Sequence, residues 1–228
     1  MKLKITPSPN TDFRHGVFNI TLKILALDLK NIEIMEKIKN IIQASIEVKQ
    51  KILTDDRLLL AVNDSVNAIV SAFEKGNKVL FCGNGGSASD AQHLAAEFSG
   101  RFYIDRNALP AEALHCNTSY LTAVANDYNF DVIYSRLIKG IGNAGDILVG
   151  LSTSGNSKNI VSAFEQAKEN KMFTIGFTGS TGGKMKKYSD ILINIPSDDT
   201  PRIQESHITL GHIICQFVEE IYFKPKND

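Results

Sequence analysis

One stretch of the chain, Lys78 to Arg101, constrains the fold more than any other. It begins with the apolar run Val79 to Phe81, which is typical of a buried strand, and continues into a turn rich in glycine. Glycine allows the backbone to turn sharply and to approach a ligand closely. The helical segment that follows carries His93 and Glu97 one turn apart, so an imidazole and a carboxylate share one helix face. The stretch predicts a strand, a tight turn and a helix with two potential ligands.

The rest of the chain alternates short apolar runs with helical patterns. The further predicted strands are Ala111 to Leu114, Ile147 to Leu151, Thr174 to Phe177 and Ile191 to Ile195. The predicted crossover segments are Asp131 to Lys139, Asn159 to Asn170 and Gly182 to Tyr188. This order is typical of a parallel sheet covered on both faces. We therefore predict an α/β fold, a three-layer sandwich around a five-stranded parallel sheet, with a last helix from Arg202 to Phe223.

Two helical patterns, Ile32 to Lys51 and about Arg57 to Lys75, predict a helical hairpin before the first strand. Residues 1–31 are expected to form an N-terminal extension, and residues 32–228 a single domain that includes both helices. Met35 is an alternative start. The apolar stretch 17–29 imitates an export signal, but Lys23 interrupts it and no small-residue cleavage site follows. No run approaches the about 20 apolar residues that a membrane span needs.

The composition favours a small-molecule protein of the cytoplasm. Lys plus Arg and Asp plus Glu number 25 each, so the chain lacks the positive field that drives binding to nucleic acid or membrane surfaces. We expect neither partner. The three cysteines are odd in number and far apart, and they show no CxxC spacing, so they indicate neither a disulfide framework nor a structural zinc knuckle.

A second loop, Ser152-Thr153-Ser154-Gly155-Asn156-Ser157, lies between a predicted strand and a predicted helix. Its four hydroxyls and glycine, together with the free amides of a helix N-terminus, predict a site for a phosphate monoester. The alternative is a turn with redundant helix caps, because Ser and Thr are common there.

Two nucleotide-binding motifs are matched only in part. Residues 83–88 satisfy GxGxxA, but the acidic residue expected about twenty positions later is absent from a strand end, since Asp105 lies in a polar segment. Residues 178–184 resemble a P-loop, yet Thr178 replaces the first glycine and Met185 replaces the Ser or Thr that would hold magnesium. We reject both motifs.

The last predicted helix carries Gln204, Glu205, His207 and His212. Each histidine alone is explained by a structural role, but together with His93 and Glu97 the set contains suitable zinc ligands. Spacing does not prove that they converge. Gln204 and His212 are eight positions apart, about 12 Å along an ideal helix, so a shared metal requires long side chains or two subunits.

Five separated motifs follow one another in an order known from one family. They are CGNGGSASDAQHLAAEFSGR, the pair Asn126-Asp127, LSTSGNS, FTGSTGGKM and TPRIQESHITLGH. From about Ile34 to its end the chain resembles the sedoheptulose 7-phosphate isomerase family of sugar-isomerase (SIS) domain proteins, and residues 1–31 depart from it. The resemblance implies the flavodoxin-like SIS fold.

The resemblance also implies an activity. It is that of a zinc-dependent aldose–ketose isomerase that converts D-sedoheptulose 7-phosphate to D-glycero-D-manno-heptose 7-phosphate, the first step towards bacterial heptose for lipopolysaccharide or capsule. It implies one zinc ion per subunit, with His93, Glu97, Gln204 and His212 as ligands. Implied substrate contacts are Asn84, Gly85, Gly86, Glu97, Asn126, Asp127, Ser152, Thr153, Ser154, Ser157 and Gln204. A homotetramer with active sites between subunits is implied as well.

The residue types agree with this chemistry. Moving a carbonyl between neighbouring carbons requires removal of a proton, an enediol and return of the proton to the next carbon. Glu97 is our candidate base, and His212 is the candidate acid and base that moves protons between the two oxygens. A cation polarises the carbonyl.

Two alternatives remain open at this point. One is a non-catalytic SIS protein that binds the replication initiator and keeps the fold without the catalytic pair, although the presence of Glu97 and His212 argues against it. The other is a SIS enzyme that acts on another sugar phosphate, such as an isomerase of hexose phosphates or an amino-sugar phosphate lyase.

Overall fold

The computed structural model describes the backbone of residues 10–224 and the side chains of residues 31–224. This part of the chain contains seven α-helices, five strands and two short 3-10 turns. The elements are α1 (Asn10–Leu53), α2 (Asp56–Glu74), β1 (Val79–Gly83), α3 (Gly86–Ser99), β2 (Ala111–Ala113), α4 (Thr118–Asp127), the turn Phe130–Val132, α5 (Ile133–Ile141), β3 (Ile147–Leu151), α6 (Lys158–Glu169), β4 (Phe173–Thr178), the turn Lys184–Lys187, β5 (Ile191–Asn194) and α7 (Thr200–Tyr222).

The five strands form one parallel sheet in the order β2-β1-β3-β4-β5. Val79 of β1 lies opposite Ala111 of β2 on one side and Ile147 of β3 on the other. The predicted five-stranded parallel sheet is confirmed, and the order is the flavodoxin-like one. After β1 the chain moves to one edge, and after β3 it moves to the other, so the two following loops diverge.

Alternation along the strands divides the core into two layers of side chains. Val79 and Phe81 of β1 pack into a cluster that includes residues of α2, α3 and α7, whereas Leu80 and Cys82 pack into a second cluster with α5 and α6. Every residue of β1 and of β3 is buried. A strand covered on both faces is apolar throughout, which is why the strands are continuous apolar runs in the sequence. The predicted three-layer sandwich is confirmed.

The N-terminal helix is longer than the sequence pattern indicates. It extends from Asn10 through the predicted segment and ends at Leu53, while residues 1–9 lie outside the described part of the chain. The chain divides into compact units between residues 46 and 47, and the second unit contains the sheet. In that unit Val48 and Ile52 are buried, and Asp55 caps α2 through its side chain. The division after residue 31 stays a prediction.

Two crossover elements differ from the sequence-based expectation. No element is predicted over residues 118–127, where the structure has α4, because this helix buries only Val124. The Asn117 side chain starts it by accepting a hydrogen bond from the amide of Tyr120 at 3.0 Å. The predicted crossover Gly182 to Tyr188 contains only the short 3-10 turn. Each helix within the described residues is too short or too polar to span a bilayer.

A pair of glycine substitutions tests the packing of the second layer. A Cβ atom at Gly150 of β3 would lie 2.2 Å from Cε2 of the buried Phe164, whereas a Cβ at Gly140 of α5 meets nothing within 4 Å. We expect Gly150→Ala to lower the free energy of unfolding by about 1–3 kcal/mol through overpacking. Gly140→Ala, the matched control, should raise it by at most about 1 kcal/mol. Urea unfolding measures both, and equal effects would contradict this packing.

Candidate active site

One part of the candidate site lies at the carboxyl edge of the sheet, where the loops after β1 and β3 diverge. Such a switch point is the usual ligand crevice of open α/β sheets. A reciprocal pair of amides joins the two loops here, since Asn84 Nδ2 donates to Asn159 Oδ1 and Asn159 Nδ2 donates to Asn84 Oδ1, both at 2.8 Å. Asn159 is buried in the first turn of α6. The pair therefore fixes the glycine turn relative to the serine loop.

The glycine turn is needed for close approach of its neighbours. A Cβ at Gly83 would lie 2.2 Å from the carbonyl oxygen of Ser87, and Gly85 has a φ of +55°. A Cβ at Gly86 would come 2.8 Å from Nε2 of Gln204 on α7. The turn therefore admits both the start of α3 and the Gln204 side chain, which no larger residue at Gly86 would allow without displacement.

Helices α3 and α7 run side by side in the same direction. Their contacts progress together along both helices, with Gln204 against Gly86 near the starts and Gly211 against Leu94 further along. A Cβ at Gly211 would lie 2.6 Å from Cδ1 of Leu94, so Gly211 permits the close approach. This geometry places the next residue of α7, His212, beside α3.

Three of the expected ligands converge between these helices. Donor atoms of His93, Glu97 and His212 all lie within 4.8 Å of one another. Nε2 of His93 lies 2.9 Å from Oε1 of Glu97, and the two imidazole rings meet edge to face with centroids 4.9 Å apart. Nε2 of His212 is buried and has no hydrogen-bond partner in the described structure. Two imidazoles and a carboxylate suit a zinc ion, so the residues present fit a metal.

The environment of His212 favours its neutral form. Burial lowers the pKa of His212, and the neighbouring His93 lowers it further, while Glu97 acts in the opposite direction. A neutral imidazole has one nitrogen that donates and one that accepts a hydrogen bond. His212 is therefore suited to bind a cation through one nitrogen or to exchange a proton with a bound molecule.

The hydroxyl of Ser157 in the serine loop, residues 152–157, does not cap α6. Ser157 is the N-cap residue of α6, but its side chain makes no capping bond, and its Oγ lies 3.0 Å from Oγ of Ser152. Ser154 Oγ accepts from the amide of Asn156 at 3.1 Å. The alternative of redundant helix caps is thus not supported at Ser157. The hydroxyls and the start of α6 together form a polar cradle suited to an anion.

The segment that resembles a P-loop, residues 178–184, packs against the serine loop. A Cβ at Gly155 would lie 2.2 Å from the carbonyl oxygen of Gly182, so the two loops touch backbone to backbone. The amide of Met185 donates to the Gly155 carbonyl at 3.0 Å, and the amide of Lys184 donates to Oδ1 of Asn156 at 3.1 Å. The glycines of the second loop therefore serve packing, in agreement with the rejection of a P-loop.

Comparisons with known proteins identify the family of this chain. A family model described as SIS domain matches residues 35–179. A phosphoheptose isomerase of Aneurinibacillus thermoaerophilus is 51% identical over 189 residues, which cover 83% of this chain and 96% of that protein. The chain belongs to the SIS domain family, and within it to the phosphoheptose isomerases.

Further relatives support this assignment of the SIS domain. A phosphoheptose isomerase of Clostridium acetobutylicum is 51% identical over 187 residues, covering 82% of this chain and 95% of that protein. The solved structure of phosphoheptose isomerase GmhA from Neisseria gonorrhoeae has a TM-score of 0.77 and 40% identity, covering 82% of this chain and 99% of that one. The solved phosphoheptose isomerase from Francisella tularensis has a TM-score of 0.78 at 36% identity, with coverages of 82% and 98%.

Not every expected site residue of the SIS domain joins the cluster. Gln204 lies against Gly86, and its role as a fourth ligand stays a prediction. Asn126 and Asp127 lie on the exposed end of α4, where Asn126 Nδ2 donates to Asp127 Oδ1 at 3.0 Å. The turn just beyond them reaches the start of α6, because Asp131 pairs with Lys158 at 3.6 Å.

Other residues of the SIS domain emerge only from the structure. Asn159 holds Asn84, and the Tyr134 hydroxyl donates to the Gly83 carbonyl beneath the glycine turn. His207 is not a ligand, since it is fully buried and its Nε2 donates to the Thr178 carbonyl at 3.1 Å. The only sequence signal for Asn159 is an amide residue two positions after the serine loop, and Tyr134 carries none, whereas His207 was already one of the candidate residues of the last helix.

The buried His207 makes the SIS domain sensitive to acid. Burial lowers the pKa of His207 to about 4, against 6.5 for a free imidazole, although its bond to Thr178 opposes the shift. Because the unfolded chain binds the proton more tightly, stability is complete above about pH 6.5 and is lost as the pH falls towards 4. We expect His207 to cost about 2 kcal/mol of stability between pH 7 and pH 5, measured by urea unfolding.

The matched variant for this measurement is His207→Gln, which keeps an amide donor near Thr178 without a titratable ring. It should be less stable than the parent at pH 7, yet lose about 2 kcal/mol less than the parent on going to pH 5. Equal losses in parent and variant would exclude His207 as the source.

Proposed function

We propose that this sugar-phosphate isomerase converts D-sedoheptulose 7-phosphate to D-glycero-D-manno-heptose 7-phosphate through an enediol. One observation carries the proposal. Glu97 and His212, an acid–base pair, converge with His93 between α3 and α7, and the loop after β3 offers hydroxyls suited to a phosphate. The relatives named phosphoheptose isomerase, which share about half of the aligned residues, support the seven-carbon substrate.

In the proposed complex the serine loop binds the phosphate. Ser152, Thr153, Ser154 and Ser157 offer hydroxyls, and the amides at the start of α6 add the positive end of the helix dipole. The remaining proposed contacts, to the sugar, are Asn84, Gly85, Gly86, Glu97, Asn126, Asp127 and Gln204. Anchoring the phosphate end restricts the orientation of the carbonyl end of the sugar in the proposed site between subunits.

Glu97 removes the proton from the carbon next to the carbonyl and returns it to the neighbouring carbon. Its carboxylate has two oxygens, and Oε1 faces Nε2 of His93 at 2.9 Å. The other oxygen is then available for the substrate proton. The two oxygens thereby separate the two roles expected of Glu97, ligand and base.

His212 moves the proton between the two substrate oxygens. Its lowered pKa keeps the imidazole neutral at neutral pH, so it can accept a proton from one oxygen and donate one to the other.

We further propose that the metal site takes one Zn²⁺ per subunit, held by His93, Glu97, Gln204 and His212. The convergence of three of these side chains and the unpartnered Nε2 of His212 support this. When bound, zinc would polarise the substrate carbonyl and stabilise the negative charge of the enediolate.

The proposed assembly is a homotetramer with active sites between subunits. Phe217 and Ile221 of α7 are 46% and 47% exposed, and Leu60 of α2 is 59% exposed, so both helices offer apolar side chains for a contact between copies. The His93 side chain is 50% exposed, so one side of the site is open to a neighbouring subunit. The free cysteines Cys82, Cys116 and Cys215 support a reducing, cytoplasmic location.

Replacement of the proposed base tests the mechanism. Glu97→Gln keeps the shape of the side chain but removes its basicity, so kcat/KM for sedoheptulose 7-phosphate should fall by about 100- to 10,000-fold. Exchange of solvent deuterium into the substrate at C1 should disappear with it, as measured by NMR. Glu74→Gln, at the exposed end of α2, is the matched control and should behave as the parent.

Other results would redirect the proposal. Retained deuterium exchange in Glu97→Gln would assign the base to another residue. A parent that is inactive with zinc, and that Glu97→Gln does not alter, would favour a non-catalytic SIS protein. Faster turnover of a shorter ketose phosphate than of sedoheptulose 7-phosphate would change the substrate.

Light scattering tests the assembly. The parent should have a mass four times that of the 25.1 kDa chain, and Phe217→Lys combined with Ile221→Lys should lower the mass together with the activity. A monomeric parent with full activity would contradict sites between subunits.

A further inference from the structure

A buried carboxylate lies two helical turns beyond the proposed catalytic histidine. Glu219 of α7 is 4% exposed in its side chain, and its Oε2 accepts from Nε of Arg106 at 2.8 Å. Its Oε1 accepts from the amides of Tyr103 and Ile104 at 2.8 and 3.0 Å, and its Oε2 also accepts from the amide of Phe102 at 3.1 Å. One side chain thus binds the whole turn that follows α3.

Arg106 completes the connection from the other side. Its side chain is 2% exposed, and Nη2 donates to the backbone carbonyl of Glu97 at 2.7 Å. Nη1 donates to the carbonyls of Phe98, Gly100 and Asn107 at 2.8, 3.2 and 3.0 Å. Carbonyls at a helix C-terminus lack intrahelical partners, so the guanidinium satisfies the end of α3. The first of them belongs to Glu97 itself.

The bonds hold this carboxylate in one orientation and favour its charged form. Burial by itself raises the pKa of the Glu219 carboxyl, but the bonds from Arg106 and the loop amides outweigh burial and hold the pKa below its ordinary value. A buried ion pair is a poor source of stability compared with apolar packing, but it specifies geometry through its directed bonds. Here that geometry is the spacing of α3 and α7.

We propose that the Arg106–Glu219 pair is a positioning device that sets Glu97 against His212 for the isomerase reaction. The inference rests on the proposed function. Glu219 and His212 are seven residues apart on one face of α7. Arg106 donates a hydrogen bond to the backbone carbonyl of Glu97 on α3. Loosening the pair separates the base from the acid–base histidine. A misplacement of about 1 Å in such a pair is enough to lower the rate about 100-fold.

Glu219→Gln tests the inference, because it keeps the size of the side chain and removes the charge that binds Arg106. In the folded variant kcat should fall about 10- to 100-fold while KM stays within about threefold of the parent, since the phosphate loop is untouched. The zinc-free variant, titrated with Zn²⁺ against a chromophoric chelator, should bind zinc about tenfold or more weakly than the parent.

Asp146→Asn is the matched control. Asp146 is also a buried carboxylate, with bonds from the amides of Lys78 and Asn143 and an ion pair to the Lys78 ammonium, but it lies at the amino edge of the sheet. It should lose thermal stability as Glu219→Gln does, yet keep kcat and zinc affinity within about twofold of the parent. A purely structural role of Arg106 and Glu219 would make the two variants alike.

The outcomes separate this inference from the proposed function. If the parent is active and folded Glu219→Gln has the kcat and zinc affinity of the parent, the positioning role is wrong and the proposed function stands. An equal loss of kcat in Asp146→Asn and Glu219→Gln would have the same meaning. A parent inactive on sugar phosphates would overturn the proposed function, and the zinc affinities would still decide the positioning role. If Glu219→Gln does not fold, Arg106→Lys tests the inference instead. Lysine keeps the positive charge but lacks the several N–H donors with which the guanidinium binds both Glu219 and the end of α3. A parental kcat and zinc affinity in that variant overturn the inference.

Discussion

Parallel pairing of β1 with both β2 and β3 is the constraint on which the rest of the structure depends. Because β1 lies between them, the chain leaves β1 towards one edge of the sheet and leaves β3 towards the other. The loops after these strands part and form a crevice between them. Loops 84–86 and 152–157 both begin there. The reciprocal amide bonds between Asn84 and Asn159 close the base of that crevice and hold its two sides in register.

The second requirement is that α3 and α7 stay together as one body. Gly86 and Gly211 remove the side chains that would separate the helices, and the Arg106–Glu219 pair joins their far ends. Between these contacts lie the donor atoms of His93, Glu97 and His212. A site built between two packed helices is positioned more accurately than one built on loops, because packing limits the motion of each side chain. The proposed acid–base chemistry depends on that accuracy.

Similar segments that contain glycine admit different neighbours in this fold. The turn at 83–86 brings the start of α3 and Gln204 close to the backbone, whereas Gly155 and Gly182 allow two loops to touch. The turn at 83–86 and the segment 179–183 look alike in sequence, since each follows a strand and contains three glycines. What distinguishes them is the neighbour that each glycine admits. Partial matches to nucleotide motifs are therefore expected wherever parallel strands end in tight turns.

The sequence alone determined the layers and the order of this fold, and the local pairs within it. β1 and β3 are buried on both faces and are continuous apolar runs, whereas β2 and β5 are only partly buried and are indicated by short, largely apolar runs between helical patterns. Helical spacing places His93 and Glu97 on one face. Helix α4 leaves little signal because it buries only Val124.

Only the tertiary structure decided which distant residues meet. It joined His212 to His93 and Glu97, paired Asn84 with Asn159, set Gln204 against Gly86 and placed His207 in the core. Local periodicity predicts the face on which a side chain lies, but its partner depends on how helices pack over the sheet. That packing is set by the close approach of side chains to the backbone at Gly86 and Gly211. It is also set by the buried bonds of Glu219, which link residues more than a hundred positions apart.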